Sequence, residues 1–252
     1  MHRGLKRFLY GLLYLVVLSA LIAGVYFLFL KPAPTCFDLK LNQDEEEIDC
    51  GGVCAKDCAI DSLLPLVAPE GVQIFPLDEN QASVLVRVEN KNVTHGARLF
   101  AYRIVLSDEE GTILKTLVGE SFVHAAGETH LFLPMVEIDA AHVARAEFFP
   151  EVRTWMRSGE FPPANLEAKN VKTVRTPREV RVEGVLENHD AVPIALTRIL
   201  ALFYDASGFL IGASGTEADN LVPAERRAFT ILRPLLSALD PARTRITIRA
   251  IR

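Results

Sequence analysis

Residues 84–90, Val-Leu-Val-Arg-Val-Glu-Asn, return at 181–188 as Arg-Val-Glu-Gly-Val-Leu-Glu-Asn, their closing asparagines 98 positions apart. Residues 102–111, Tyr-Arg-Ile-Val-Leu-Ser-Asp-Glu-Glu-Gly, correspond at an offset of 97 to residues 199–208, Ile-Leu-Ala-Leu-Phe-Tyr-Asp-Ala-Ser-Gly. Phe132 meets Phe229 at 97, Gly119-Glu-Ser121 loosely matches Gly212-Ala-Ser214, and Ile138-Asp139 lines up with Leu239-Asp240. An offset held this constant over a domain's length reads as a tandem duplication. Whatever fold the first copy adopts, the second must adopt again.

The repeated unit is written for strands. Val84, Val86 and Val88 alternate with Arg87 and Glu89, and Val180 and Val182 alternate with Arg181 and Glu183, the period-two pattern of half-buried strands. Ile246, Ile248 and Ala250 share one face of the last segment, while residues 199–204 are apolar on both faces, as in a central strand. The common Asp-x-x-Gly predicts a hairpin turn: Asp caps the backbone at the first position, and Gly takes a positive φ three residues on. Asn90 and Asn188 are read as turn caps. Helical periodicity is short, confined to about 138–146 and 235–239. The expected fold is all-β, two tandem antiparallel β-sandwiches.

Ahead of the repeats, Phe8–Leu30 runs 23 residues without a charge, 20 of them apolar. About 20 such residues cross a hydrocarbon core as one helix. Arg3, Lys6 and Arg7 precede the run and an acidic stretch follows Lys31, so the positive-inside bias places the N-terminus in the cytoplasm and the bulk of the chain outside. Tyr10, Tyr14 and Tyr26 suit the headgroup zones. A cleaved signal peptide has a shorter apolar core and a small-x-small cleavage site. Neither is present here, so an uncleaved signal-anchor at the plasma membrane is expected, followed by a stiff Lys31–Thr35 spacer with two prolines.

All four cysteines fall in one window, Cys36, Cys50, Cys54 and Cys58. Outside the membrane an even, clustered set reads as two disulfides stapling a segment too small for a core, with three connectivities open. Four thiolates also satisfy zinc, but the three-residue spacings and the oxidising compartment favour disulfides. Asp38, Asn42, Asp44, Glu45 and Asp49 crowd the same window, a set of oxygen ligands suited to Ca²⁺; the plainer reading is a solvated acidic loop. The run Cys36-Phe-Asp38-x3-Asn42-x2-Glu45-x3-Asp49-Cys50-Gly51-Gly52-x-Cys54 resembles a short cysteine-rich repeat of bacterial surface and secreted proteins. It departs from that repeat at Leu39, where the repeat has Gly, and in the gap to Cys58. The resemblance implies an extracellular disulfide module with calcium binding.

In the second copy, Gly184-x2-Glu-Asn188, Phe203-Tyr204-Asp205-x2-Gly208 and Leu221-Val-Pro223-x5-Phe229 are similar to the FxLYD domain, a small extracytoplasmic β-sandwich of LEA14-related architecture. Ala224 stands where that family has Gly, and residues 202–204 only approximate its signature. The resemblance supplies no catalytic residues and implies an adhesive or scaffolding role.

Charge divides between the copies: residues 59–165 carry a net −7 and residues 166–252 a net +3, with Arg175, Arg178, Arg181, Arg243, Arg245 and Arg249 prominent. The overall net charge of −5 argues against nucleic acid, whose phosphates need clustered Lys and Arg. The basic surplus reads first as a solvated face, second as attraction to the acidic copy or to an anionic envelope polymer. There is no P-loop, dinucleotide fingerprint or zinc-protease helix, and Gly212-Ala-Ser214-Gly is not a nucleophile elbow. His124 and His130 stand close enough to share a face; His95, His142 and His189 fall in loops. Asn92-Val-Thr94 is read as a turn rather than a sugar acceptor, and Trp155 as a linker residue packing on a domain edge.

The expected layout is a cytoplasmic tip and anchor (1–31), a cysteine-rich acidic module (32–60), a first sandwich (61–152), a linker (153–167) and an FxLYD-like second sandwich (168–252). The function it supports is a non-enzymatic scaffold or binding protein of the bacterial envelope with a protein or glycan partner. Two other readings stand beside it: a calcium-dependent adhesin, and an envelope hydrolase or enzyme subunit.

Overall fold

The computed structural model describes residues 3–26, 35–54 and 56–251. The last four residues of the expected span, Lys31 and the Pro32-Ala33-Pro34 spacer lie outside them. By packing, the chain divides into Met1–Ser62 and Leu63–Arg252.

In the first unit, α1 (Arg3–Val25) contains a 20-residue stretch, Lys6–Val25, with mean hydropathy 2.3 and none of it buried in the protein. It is long and apolar enough to cross a membrane, as an anchor or a signal sequence. The cysteine-rich segment has Cys50 and Cys54 as its buried hydrophobic residues among those described. Disulfides join Cys36 to Cys54 and Cys50 to Cys58, replacing the core that so short a segment cannot build.

Among its described residues the second unit has twelve antiparallel strands: β1 (Val72–Pro76), β2 (Gln81–Glu89), β3 (His95–Ser107), β4 (Ile113–Val123), β5 (Glu128–Glu137), β6 (Arg145–Arg157), β7 (Leu166–Arg175), β8 (Glu179–Asn188), β9 (Ile194–Tyr204), β10 (Leu210–Leu221), β11 (Arg226–Pro234) and β12 (Arg245–Ile251). They form four three-stranded sheets: sheet I (β1-β2-β5), sheet II (β4-β3-β6), sheet III (β7-β8-β11) and sheet IV (β10-β9-β12). The last six strands thus repeat the strand order of the first six. One apolar cluster draws Val84, Val86 and Val88 from sheet I and Phe100, Ile104 and Leu106 from sheet II. A second draws Val180, Val182 and Ile231 from sheet III and Ile199, Ala201 and Phe203 from sheet IV.

The turns repeat as well. Asp108 Oδ1 accepts from the amides of Glu110 and Thr112 (3.0 and 2.7 Å), and Asp205 Oδ1 from Ser207 and Phe209 (both 2.9 Å). Gly111 and Gly208 take φ of +85° and +88°. Asn90 is buried and donates Nδ2 to the carbonyls of His95 and His124; Asn188 donates likewise to Val192, Leu221 and Val222. Asp139 and Asp240 each cap a single 3₁₀ turn before the last strand of their half.

Register corrects two of the sequence pairings. Val84 pairs with Leu133 and Val182 with Ile231, so an offset of 98 runs through both β2/β8 and β5/β11. The counterpart of Phe229 is therefore Leu131, not Phe132. One residue of slip turns a side chain to the opposite face: Leu131 and Phe229 point into the first and second clusters, whereas Phe132 points away. Phe229 fills the space over Gly184, where a Cβ would stand 2.6 Å from its ring; Val86 opposite Leu131 divides the same volume more evenly. Likewise Tyr102 faces Gly119 while Ile199 faces Thr216, so Gly119 answers to Thr216 and not to Gly212.

Two further differences come from chain reach. β6 runs through Arg157 and β7 opens at Leu166, both inside the stretch read as linker. Trp155 accordingly lies on β6 opposite Ala97 and packs against the first cluster. The odd face of β2 is also covered near its centre. Leu85, with Phe75 and Phe132, packs against Leu200, Leu202 and Ala213 of sheet IV in a third cluster joining the halves.

Candidate functional site

Within the cysteine-rich module, four of the residues read as calcium ligands, Asp38, Asn42, Glu45 and Asp49, are hydrogen-bonded to the module itself. Asp49 accepts from the amides of Asp38 (3.0 Å) and Leu39 (3.0 Å). Asp38 Oδ1 accepts from the Lys40 amide and from Asn42 Nδ2, and Glu45 Oε2 accepts from the Asn42 amide. Asp44 is exposed at φ +64°. Leu39, standing where the resembling repeat has Gly, takes φ +58°, the left-handed conformation that a Gly would adopt freely. Cys36 with Glu45 and Cys54, Glu47 with Cys50 and Cys58, and Glu167 with Glu187 and His189 are the groups of three metal-type ligands that converge among the described residues. The sulfurs of the first two groups are disulfide-bonded. In the third, Lys169 Nζ lies 2.8 Å from Glu187 and 3.3 Å from Glu167, and Arg226 also bonds Glu187. Hydrogen bonds from Lys169 and Arg226 hold the Glu187 carboxyl below the usual carboxylate range.

A cleft of about 620 Å³ opens in the second unit beside the third cluster. One wall is built from β4, β5 and the turn between them, with Phe122, His124, His130 and Phe132; the other comes from β9, β10 and β12. Register sets Glu217, Arg198 and Arg249 abreast on those three strands, hence on one face. Further along β9 the same face carries Leu200 and Leu202 into the third cluster. The cleft adjoins the third cluster, sharing Phe132 and Leu200 with it.

The charges in that row are held differently. Arg198 Nε donates to Glu217 Oε1 at 2.6 Å. The Arg249 guanidinium reaches across to β4, where Nη1 donates to Ser121 Oγ, and its Cζ lies 5.3 Å from the centre of the Phe122 ring. Burial, reinforced by Arg198, pushes Arg249 down to about 10, leaving it cationic at neutral pH. Burial also pushes the Tyr102 phenol up and the His130 imidazole down. The His124 ring centre lies 4.2 Å from that of Phe161, tilted by 36°, and its Nδ1 donates to the Phe161 carbonyl (3.1 Å). The walls thus set the Arg198 and Arg249 guanidiniums, with the carboxylates of Glu120, Glu128 and Glu217, beside aromatic and aliphatic surface.

Of the features singled out in sequence, His124, His130 and Arg249 meet at this cleft. The other arginines of the basic surplus disperse: Arg181 pairs with Glu179, Arg243 with Asp240, and Arg245 lies over Tyr204. His142 bonds Asp139, and His189 bonds Glu167. Asn92 is buried, exchanging two 2.8 Å hydrogen bonds with the Leu64 backbone, the role of a structural tie. Ser214 Oγ donates to the Leu232 carbonyl, joining β10 to β11. Sequence reading missed Tyr102, Phe122, Phe132, Arg198 and Glu217 as cleft residues. Arg198 carried a signal: it is the lone charge within the apolar stretch of β9.

Comparison with protein families and with curated proteins returns no match. Among solved structures, the chain is similar at 12% identity and TM-score 0.21 to a putative β-galactosidase from Bacteroides fragilis, covering 66% of this chain and 28% of that one. A red sea bream transglutaminase matches at 10% identity and TM-score 0.21, over 72% of this chain and 31% of that one. The tandem CBM22 domain of Paenibacillus barcinonensis Xyn10C matches at 9% identity and TM-score 0.14, over 74% and 85%. The chain spans less than a third of the first two, and scores at this level do not group it with any of the three.

Proposed function

We propose that this chain is a membrane-anchored binding protein of the bacterial cell envelope, with α1 as a single-pass anchor, its N-terminus cytoplasmic, and the remainder extracytoplasmic. The observation that carries the reading is a pair of disulfides in a segment whose described residues form no other core, following an apolar helix long enough to span a bilayer. Lys6 and Arg7 at the start of the span against the acidic stretch after it support the orientation. Beyond the module, the two six-strand halves are read as tandem β-sandwiches of FxLYD type. Their repeated strand order and shared two-sheet clusters support that reading, as does the turn at Asp205 and Gly208. Their role is to present the cleft, a binding rather than a catalytic surface. Calcium-dependent adhesion is the weaker reading: Asn42 Oδ1 is buried without a hydrogen-bond partner among the described residues, but Asp38, Glu45 and Asp49 are engaged by the module's own amides.

Labelling with a membrane-impermeant amine reagent tests the arrangement. With the outer surface of the plasma membrane exposed, intact protoplasts are expected to show modification of Lys91 and Lys172, with Lys6 labelled only after lysis. The reverse pattern overturns the orientation, and loss of α1 from the mature chain overturns the anchor.

A further inference from the structure

We infer that the cleft binds a carboxylate carried on an apolar peptide segment, held by Arg249 beside the Arg198–Glu217 pair. This rests on reading the cleft as a binding surface and names its ligand class.

Arg249 stands directly opposite Arg198 in the β9–β12 register. Like charges at such a position repel at a separation of about 5 Å. Arg198 is paired with Glu217, but Arg249 forms no ion pair among the described residues; the only acceptor its guanidinium meets there is Ser121 Oγ. A cation left without a carboxylate in a partly buried place is costly unless something else supplies the charge. Ser121 and the Phe122 ring fix where its head group lies, so the position is prepared before any anion arrives. An arginine fork matches a carboxylate in shape as well as charge.

The rest of the cleft selects among anions. Glu120, Glu128 and Glu217 stand on the lining. Glu128 is paired with Arg87 and Glu217 with Arg198, so Arg249 is the lining guanidinium left to meet a ligand; one such cation, with Glu120 nearby, suits a single negative charge better than a phosphate dianion. Phe132, Leu200, Pro163 and Ala164 provide apolar lining beside the cations, which fits aliphatic or aromatic side chains better than the hydroxyl-rich surface of a sugar. A volume of about 620 Å³ takes a segment of a few residues.

The test uses the full-length chain in zwitterionic nanodiscs and four probes: acetyl-Leu-Leu-Phe with a free carboxylate, its C-terminal amide, acetyl-Leu-Asp-Phe amide, and digalacturonate. Titration calorimetry is expected to show at least one carboxylate peptide binding about tenfold more tightly than the neutral amide, as a charged hydrogen-bonding partner requires. The first and third probes separate a chain terminus from an acidic side chain as the source. Arg249→Gln should abolish the preference, whereas Arg245→Gln, on the same strand but over Tyr204, should retain it; Arg198→Gln is the second variant should R249Q fail to fold. Equal binding of acid and amide, a preference surviving both R249Q and R198Q, or tighter binding of digalacturonate than of any peptide overturns the inference. Silence from all four probes overturns it together with the binding role of the cleft, while the amine-labelling result decides membrane placement separately.

Discussion

Gly52 sits at φ +56° with the Asp44 carbonyl oxygen only 1.8 Å from where a Cβ would be. Gly51, at φ +72°, is crowded by the Glu46 side chain. The Asp-Cys-Gly-Gly run thus meets a steric demand: the chain must fold back on itself to bring Cys50 and Cys54 to their partners, and no side chain fits there. Gly52→Ala is expected to scramble the pairing, read as loss of the Cys36–Cys54 and Cys50–Cys58 peptides from a non-reducing digest of the oxidised protein. His130 makes a different prediction at the same scale. Burial holds its folded-state pKa below the ordinary 6.5, and Arg87 acts in the same direction, although Glu128 and Glu70 favour the proton. The unfolded chain therefore takes up the proton first as pH falls, so stability is lost from neutral pH downward through 6.5. Denaturation midpoints measured at pH 7.5 and 5.5 should differ less in His130→Gln than in the parent protein.

Among elements, the repeated Asp-x-x-Gly hairpins were legible in sequence because a turn is a local problem. Its hydrogen bonds close within four residues, and its glycine answers to φ alone. Asp108→Ala and Asp205→Ala each remove two side-chain-to-backbone bonds, and each is expected to cost about 1–2 kcal/mol, in similar amount, by denaturant unfolding. The half-buried pattern of β8 and β12 was equally plain: Val180 and Val182, and Ile246 and Ile248, all turn to the second cluster. β2 was read the same way and differs, because Leu85 on its odd face is almost wholly covered by the other half. Leu85 breaks the alternation of residues 84–90, but nothing in that stretch shows that a second copy of the fold will pack on it.

For the whole β unit, that contact couples what the sequence presents as two repeats. Leu85 and Leu200 lie in a cluster to which both halves contribute, so loosening one half exposes apolar surface on the other. Leu85→Ala is expected to cost about 2–4 kcal/mol and to lower the melting of all twelve strands together. Calorimetry should show one transition in both parent and variant; two resolved transitions would mean that the halves unfold independently. The cleft adjoins that contact, with Phe132 and Leu200 belonging to both.

The sequence by itself determined the apolar helix, the disulfide-bonded character of the cysteine-rich module, the β-rich repeats, and the capping residues of their turns. Each follows from composition or from interactions spanning a few residues. The disulfide connectivity, the register that sets Leu131 against Phe229, the burial of Leu85 and the meeting of Arg198 with Arg249 were decided only in three dimensions. Arg249 and Ser121 are 128 residues apart, and strand alternation is blind to which sheet will cover which face. A period of two says that a strand has two sides; only tertiary packing says what lies against each of them.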